Sequence, residues 1–414
     1  MADKTHILVI SQYFYPEQFR INDIVSELVN RGYKVTVLTG IPNYPQGRFY
    51  NGYGYFKKRK ENYKGVEVIR IPIIPRGHSS VMMALNYLSF VVSGFLWSKF
   101  TSLKADQVFI YEVSPMTQAL PGIWYAKRRN VPSMLYVTDL WPENVQYAGG
   151  INNSTILNWI GRMVEHIYHK TDLILTSSKS FISAIKARGV PEHKIKFWPQ
   201  YAEEWYVPIE QAKINLPSIP QDGKLNLLFA GNIGKAQGLE VLPKAAEILK
   251  ADQAEVRFNI VGDGRFKETL GQIIKDKNVS DYFNFIDRQP AAKIPEYMSV
   301  CDAALITLAK SEIFSMTLPA KLPSCLACGV PVIVCADGEI QQVIREANAG
   351  FCCNAGDYKA LADIIMPISS MSKEALKEIG KNARQYFESH FEKEKLLDDF
   401  EADLMKVGNN YVRA

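Results

Sequence analysis

The chain has 414 residues, 47% of them apolar and 22% charged, with a formal net charge of +5. That size and balance suffice for two domains with full cores and exclude collagen-like, coiled-coil and low-complexity classes. The charge is uneven: residues 1–200 carry 24 Lys and Arg against 13 Asp and Glu, the remainder 24 against 30. A basic first half implies an anionic partner, whether membrane headgroups, a diphosphate or nucleic acid.

The opening residues Met1-Ala-Asp-Lys-Thr-His6 lack a basic segment ahead of a long apolar run, so no signal peptide is expected. His6–Ile10 reads as a strand, followed by a polar loop to about Asn22, a helix ending near Arg31-Gly32 and a strand over Lys34–Leu38. Tyr13, Glu17, Arg20 and Asn22 line that first loop, with Arg20 suited to an acceptor phosphate. Lys57-Lys-Arg-Lys60 stands among Tyr53, Tyr55, Phe56 and Tyr63, a mixture suited to an anionic bilayer surface or to a solvated loop. No nucleic-acid module is recognisable, so nucleic acid is not expected as a partner.

After a strand at Val66–Pro72 come 18 residues without a charge, Val81–Ser98, with Asn86, Ser89 and Ser93 on one narrow stripe. The length approaches the roughly 20 residues needed to cross a bilayer. Strands continue on both sides, however, so a buried or membrane-contacting helix is expected rather than a spanning one. Further strands at Gln107–Tyr111, Ser133–Val137 and Leu173–Thr176 complete an alternation that gives a parallel sheet between helices. Glu112 and Asp139 each fall where a strand ends, a usual place for ligand contact. Asp139 can equally cap the helix that follows it. His166 and His169 share a helix face without a third ligand, which favours packing.

Residues 199–224 hold Pro199, Pro208, Pro217, Pro220 and Gly223 and read as a connection. A second strand–loop–helix–strand unit then starts: Leu225–Phe229, a loop to Gly238, a helix to about Lys250, and Val256–Val261 before Gly262-Asp263-Gly264. Strands follow at Phe283–Ile286, Ala303–Ile306 and Val330–Val334, and residues 372–407 form two helical segments. The expected domains are 1–200, 201–385 and a terminal helix, 386–414, able to pack back on the first domain.

Gly231, Asn232 and Gly234 allow close backbone approach to a ligand, and Lys235 adds positive charge there. The spacing is neither a dinucleotide fingerprint nor a P-loop. The sharper segment is Thr317-Leu-Pro-Ala-Lys-Leu-Pro-Ser-Cys-Leu-Ala-Cys-Gly-Val-Pro-Val-Ile333, in which Lys321 opens a short helix. Such a placement suits a leaving diphosphate. All six cysteines follow residue 300, and Cys325-Leu-Ala-Cys328 has no second pair, so a structural role in a reducing, cytoplasmic compartment is expected.

The segment 317–333 resembles the nucleotide-binding segment of retaining GT-B glycosyltransferases of family 4. Ser11-Gln-Tyr-Phe-Tyr-Pro-Glu17, the run at 30–39 and Tyr136-Val-Thr-Asp-Leu-Trp-Pro-Glu143 match the same family. They are most similar to its polysaccharide and O-antigen branch, of the WbuB-like N-acetyl-L-fucosaminyltransferase type. The resemblance implies an α/β chain of two Rossmann-like doubly wound domains facing across a cleft. It implies sugar transfer with retention, without metal or cofactor, from a UDP-sugar as co-substrate to a polyprenyl-diphosphate-linked saccharide at the inner face of the membrane. The donor would meet Gly231, Asn232, Gly234, Gln237, Gly262, Asp263, Gly264, Arg288, Glu312, Thr317, Leu322 and Ser324. The acceptor would meet Tyr13, Glu17, Arg20, Asn22 and Glu112, and Asp139, Lys235 and Lys321 would act in catalysis.

Two departures stand out. Where the family has an Arg and a Lys in the second-domain loop, this chain has Asn232 and Gln237. The family's paired glutamates would fall on Met316 and Ser324, with Glu312 the nearest acid. Lys235, Lys321 and Arg288 are left to neutralise the diphosphate. A UDP-sugar 2-epimerase and a non-catalytic nucleotide-sugar-binding subunit remain alternatives; a dehydrogenase lacks its fingerprint.

Overall fold

A computed structural model describes residues 5–147, 150–210 and 214–412, so the first residues of the chain lie outside it. The chain folds as two units. One comprises Met1–Ser177, Phe181–Trp198 and Asp399–Ala414, the other Ser178–Ser180 and Pro199–Asp398.

The first unit is an eight-stranded sheet. Its strands are β1 (His6–Ile10), β2 (Lys34–Gly40), β3 (Lys60–Tyr63), β4 (Val66–Ile71), β5 (Gln107–Glu112), β6 (Ser133–Val137), β7 (Leu173–Thr176) and β8 (Ile195–Phe197). The order is β3-β4-β2-β1-β5-β6-β7-β8, parallel throughout except for β3 against β4. β1, β5 and β6 are buried at every position, as a sheet covered on both faces requires. The helix Ile21–Asn30 covers one face by burying Ile21, Ile24, Val25 and Leu28, the spacing of a helical stripe.

The second unit is a six-stranded parallel sheet. It contains β9 (Leu225–Ala230), β10 (Val256–Val261), β11 (Phe283–Ile286), β12 (Ala303–Thr307), β13 (Val332–Cys335) and β14 (Gly350–Cys353), ordered β11-β10-β9-β12-β13-β14. Alternate residues of β9 feed the two cores: Leu227 and Phe229 pack on one face and Leu228 on the other.

The sequence pattern misses β3, β8 and β14. All three are edge strands of three or four residues, too short for a periodic signal. β3 also revises the reading of the basic run, because Lys60 begins that strand and Arg59 is tied to the carbonyls of Arg70 and Tyr55. A charged edge strand guards the sheet against pairing with another chain. Lys57, Lys58 and Phe56 remain exposed, Phe56 almost completely.

The uncharged segment forms a helix over Ser80–Phe100, long and apolar enough by composition to cross a membrane. Its polar stripe faces inward. Asn86 is fully buried; its amide accepts from Gln12 Nε2 (2.7 Å) and donates to the Ile74 carbonyl (2.6 Å). Ser89 Oγ accepts from the Ile74 amide (2.9 Å), and Ser93 Oγ donates to the Pro72 carbonyl (2.6 Å). Gly94 sits against Pro121, where a Cβ would lie 2.3 Å from the ring. Val81, Leu85, Leu88, Val92, Phe95, Leu96 and Phe100 point outward. The helix docks through Asn86, Gly94, Ser98 and one large apolar residue, Phe90, and leaves seven other apolar side chains exposed, largely the reverse of an ordinary surface helix.

The last helix, Lys393–Val412, places Phe400 between Phe109 and Trp198, with ring centroids 4.8 and 5.0 Å away. Glu401 pairs with Arg31 (2.9 Å) and Asp403 with Lys196 (2.7 Å).

Candidate active site

Each sheet has a switch point where successive crossovers leave in opposite directions: β1/β5 in the first unit and β9/β12 in the second. Ligands of doubly wound sheets bind beyond the carboxyl ends of such strands.

In the second unit, Gly231 follows β9 and its loop lies on the loop after β10. Gly231 N donates to the Val261 carbonyl (3.0 Å), Ile233 N to the Asp263 carbonyl (2.8 Å), and Phe266 N to the Ile233 carbonyl (3.0 Å). Gly262 is required by this approach: its φ is +150°, and a Cβ there would stand 1.9 Å from the Gly231 oxygen. Gly264 is close to Ile233 in the same way, and Asp263 turns its carboxylate onto the Gly264 amide (2.8 Å). Gly262, Asp263 and Gly264 thus shape the loop that carries Gly231. The loop reaches Gly238 as expected. A turn at Lys235–Gln237 lies within it, and the helix begins at Val241. Gly231, Asn232 and Lys235 are exposed, and Gly234 is half-buried.

Lys321 completes this arrangement from the other side of the switch point. It opens the helix Lys321–Ala327, and its Nζ donates to Gln237 Oε1 (2.6 Å), 4.3 Å above the Phe229 ring. The amine lies 3.6 Å from where a Cβ on Gly231 would sit. No carboxylate pairs with it among the described residues, and burial pulls its pKa down to about 8. Gln237 stands where the resembled family has a lysine. Here the ammonium comes from the helix instead and is held by that glutamine.

The other donor candidates separate. Leu322 is fully buried in the core and Ser324 is buried behind it, so neither side chain is presented to a ligand. Local helical geometry turns both inward. Arg288 is exposed after the edge strand β11, two strands from β9. Glu312 is exposed at the start of a short helix ending at Met316, and Thr317 Oγ1 closes that helix on the Ile313 carbonyl (2.8 Å). Glu339 gives no local signal in the sequence. Its buried carboxylate accepts from Ser178 Oγ (3.0 Å) and from the amides of Lys179 (2.8 Å) and Ser180 (2.7 Å). Ser178 Oγ in turn reaches the Met316 carbonyl (2.6 Å) and the Leu318 amide (2.9 Å), which fixes the approach to Lys321. Cys325 and Cys328 are both buried.

In the first unit Glu17 is buried, and its carboxylate accepts from the amides of Phe14 (3.2 Å), Asn43 (2.7 Å) and Tyr44 (2.6 Å). Burial raises its pKa to about 7, against the pull of those amides. Asn22 accepts from the Tyr15 amide (3.2 Å) and donates to the Glu17 carbonyl (2.7 Å). Both side chains therefore hold the loop, which corrects their reading as direct acceptor contacts. Tyr13 is buried beneath Phe19 and Tyr44, and Arg20 lies near the Tyr136 phenol.

Glu112 and Asp139 come together at the ends of β5 and β6. The Asp139 amide is 3.4 Å from Glu112 Oε2. The Asp139 carboxylate is bonded to Ser114 and to the Asn144 side chain. Burial raises its pKa. Glu112 is fully buried, one of its oxygens lacks a partner among the described residues, and burial plus the neighbouring Asp139 push its pKa well up. Burial thus holds both carboxyls of the pair above the ordinary carboxylate range.

Residues 18–200 match the glycosyl transferase 4-like domain, and residues 212–386 match glycosyl transferases group 1. The colanic acid biosynthesis glycosyl transferase WcaI of Escherichia coli is 25% identical over 96% of this chain and 99% of its own. Among solved structures, sucrose-phosphate synthase from Thermosynechococcus elongatus superposes with a TM-score of 0.76 at 16% identity, covering 98% of this chain and 99% of that one. The HepE protein of Anabaena, solved with UDP and glucose, gives 0.68 at 16% identity over 96% and 99%. The fold is that of GT-B enzymes, two Rossmann-like domains with parallel sheets. The chain is a glycosyltransferase whose first unit carries the 4-like domain and whose second carries the group 1 domain.

Proposed function

We propose that the protein moves a sugar from a UDP-sugar, held by the second unit, to a polyprenyl-diphosphate-linked saccharide, held by the first, in surface polysaccharide synthesis. The observation that carries this reading is the Lys321 ammonium, unpaired by any described carboxylate and set beside exposed Gly231. A half-buried cation without a counter-charge is costly unless an anion completes it, and a nucleotide diphosphate does so. WcaI is named for colanic acid synthesis and HepE was solved with UDP, which supports the polysaccharide and donor assignments.

In the proposed reaction the bond from the anomeric carbon to the diphosphate breaks as the acceptor oxygen bonds to that carbon on the same face. The acceptor proton passes to the departing phosphate, and Lys321 with Lys235 stabilises the growing charge. The transferred sugar is N-acetyl-L-fucosamine or another N-acetylamino sugar, following the resemblance. The protein works peripherally at the inner face of the membrane, with the exposed apolar side of the Ser80–Phe100 helix against lipid. At that helix's end Lys99 is joined by Arg128 and Arg129, which donate to the carbonyls of Ser98 and Thr101. Cations at the end of an apolar face suit anionic headgroups.

The test is incubation with a panel of UDP-sugars and a polyprenyl-diphosphate saccharide, following UDP release and the lengthened lipid product. Product with an α- or β-linkage matching the donor supports the reading. Sugar interconversion with donor alone, or UDP-sugar binding without turnover on any such acceptor, overturns it.

A further inference from the structure

Arg76 was not among the residues that the sequence singles out, yet the fold of the first unit converges on it. It lies in the loop between β4 and the apolar helix. Its backbone amide donates to Asn43 Oδ1 (2.8 Å), and Asn43 is one of the residues held by Glu17. The next residue, Gly77, donates to the Gly47 carbonyl (2.9 Å). The loop that Glu17 clamps is therefore the platform that aims the Arg76 side chain.

That side chain is half-buried in an aromatic box. Its Nη1 donates to the Tyr13 hydroxyl (3.0 Å) and its Nη2 to Met83 Sδ (3.3 Å). The guanidinium carbon is 5.2 Å from the Tyr44 ring centroid and 5.9 Å from that of Tyr87. No carboxylate among the described residues forms an ion pair with it; the charged-group neighbours that influence it are all phenols. A guanidinium carries five N–H donors, and here only two reach a side chain. Phenols and ring faces orient such a cation without neutralising it, which leaves its remaining donors for a fork-shaped oxyanion.

Two neighbours say what kind of anion. The Ser80–Phe100 helix starts four residues on, its first turn capped by Ser79 Oγ accepting from the Met82 amide (3.2 Å), and its exposed apolar face begins at Val81 and Leu85. On the other side Tyr87, within the same helix, stands beside Tyr13 and close enough to Asp139 to feel its charge. The guanidinium, 5.9 Å from the Tyr87 ring, thus sits at the start of an apolar helix face, and Tyr87 is its link toward Asp139. We propose that Arg76 binds the phosphate of an amphiphilic acceptor, with the lipid chain running onto the exposed face of the helix and the saccharide toward Asp139. This rests on the reading of the first unit as the acceptor domain.

The experiment is titration calorimetry of the full chain in detergent micelles with farnesyl diphosphate, farnesol and inorganic pyrophosphate, on wild type, Arg76→Ala and Arg76→Lys. Retained farnesol binding and an unchanged melting temperature are the check that each variant's first unit is folded, and UDP binding reports on the second. The wild type is expected to bind farnesyl diphosphate at least about tenfold more tightly than farnesol, as a charge-assisted bidentate contact requires. Arg76→Ala should erase that preference, Arg76→Lys should restore part of it, and UDP affinity should stay constant. An alanine variant that retains the preference, or a wild type without one, overturns the proposal. Pyrophosphate binding as tight as farnesyl diphosphate, or an equal loss of phosphatidylglycerol vesicles by Arg76→Ala, also overturns it, because the site would then read any anion. Failure of the transfer reading looks different: Arg76-dependent binding of farnesyl diphosphate would persist while no sugar reaches any polyprenyl-diphosphate saccharide.

Discussion

The two units offer an anion opposite means of recognition. In the second, glycines bring backbone close to the site and one ammonium, Lys321, held by Gln237, stands ready to supply the charge. In the first, side chains do the work: tyrosines frame the Arg76 guanidinium, and a carboxylate pair, Glu112 and Asp139, stands at the neighbouring strand ends. Backbone recognition suits a ligand whose diphosphate is the same whatever sugar it bears. Side-chain recognition can be altered residue by residue, which suits a domain whose partner differs from enzyme to enzyme.

If that contrast holds, damage to one unit's site should leave the other's ligand untouched. Lys321→Ala should lower kcat/KM for the donor by about a thousandfold, the cost of a preorganised charge at the leaving group, with farnesyl diphosphate affinity unchanged. Steady-state kinetics and calorimetry on the same preparation check both halves. Asp139→Asn should reduce kcat by about a hundredfold while donor KM stays within twofold, the signature of a group acting on the reaction or acceptor. A rise in donor KM of the same size would break the contrast. Gly262→Ala puts a Cβ onto the Gly231 oxygen and should destabilise the second unit by about 2 kcal/mol, weakening UDP binding. Thermal melting with and without UDP measures it.

The smallest effect expected is with pH. Lys321 is charged below about 8, and a bound diphosphate favours that charged form. UDP affinity should therefore be fully present below pH 8 and fall as pH rises through it, by about tenfold between pH 7 and 9. Lys321→Met should give a flat, weak profile. Binding near pH 8 should also take up protons, visible as a buffer-dependent enthalpy.

Much of the fold was legible because its signals are local. Runs such as Leu225–Phe229 and Ser133–Val137 are mostly apolar and buried at every position, as strands covered on both faces must be, and Gly231 after the first marks where its backbone turns. The inward stripe of Asn86, Ser89 and Ser93 was visible too, although not that it is the docking face. Leu322 and Ser324 were misplaced because proximity to Lys321 along the chain is not proximity in space: successive helix residues point about 100° apart.

The amino-acid pattern alone determined two doubly wound units, and it singled out the loop at Gly231, Lys321 and Asp139 as site candidates. Only tertiary structure decided how charge is supplied and held. Lys321 meets Gln237 across 84 residues of sequence, and Arg76 meets Tyr13 across 63. Hydrophobic periodicity reports which face of an element is buried. It carries no information about which distant side chain arrives beside it, since that depends on strand order and on the crossovers that set it.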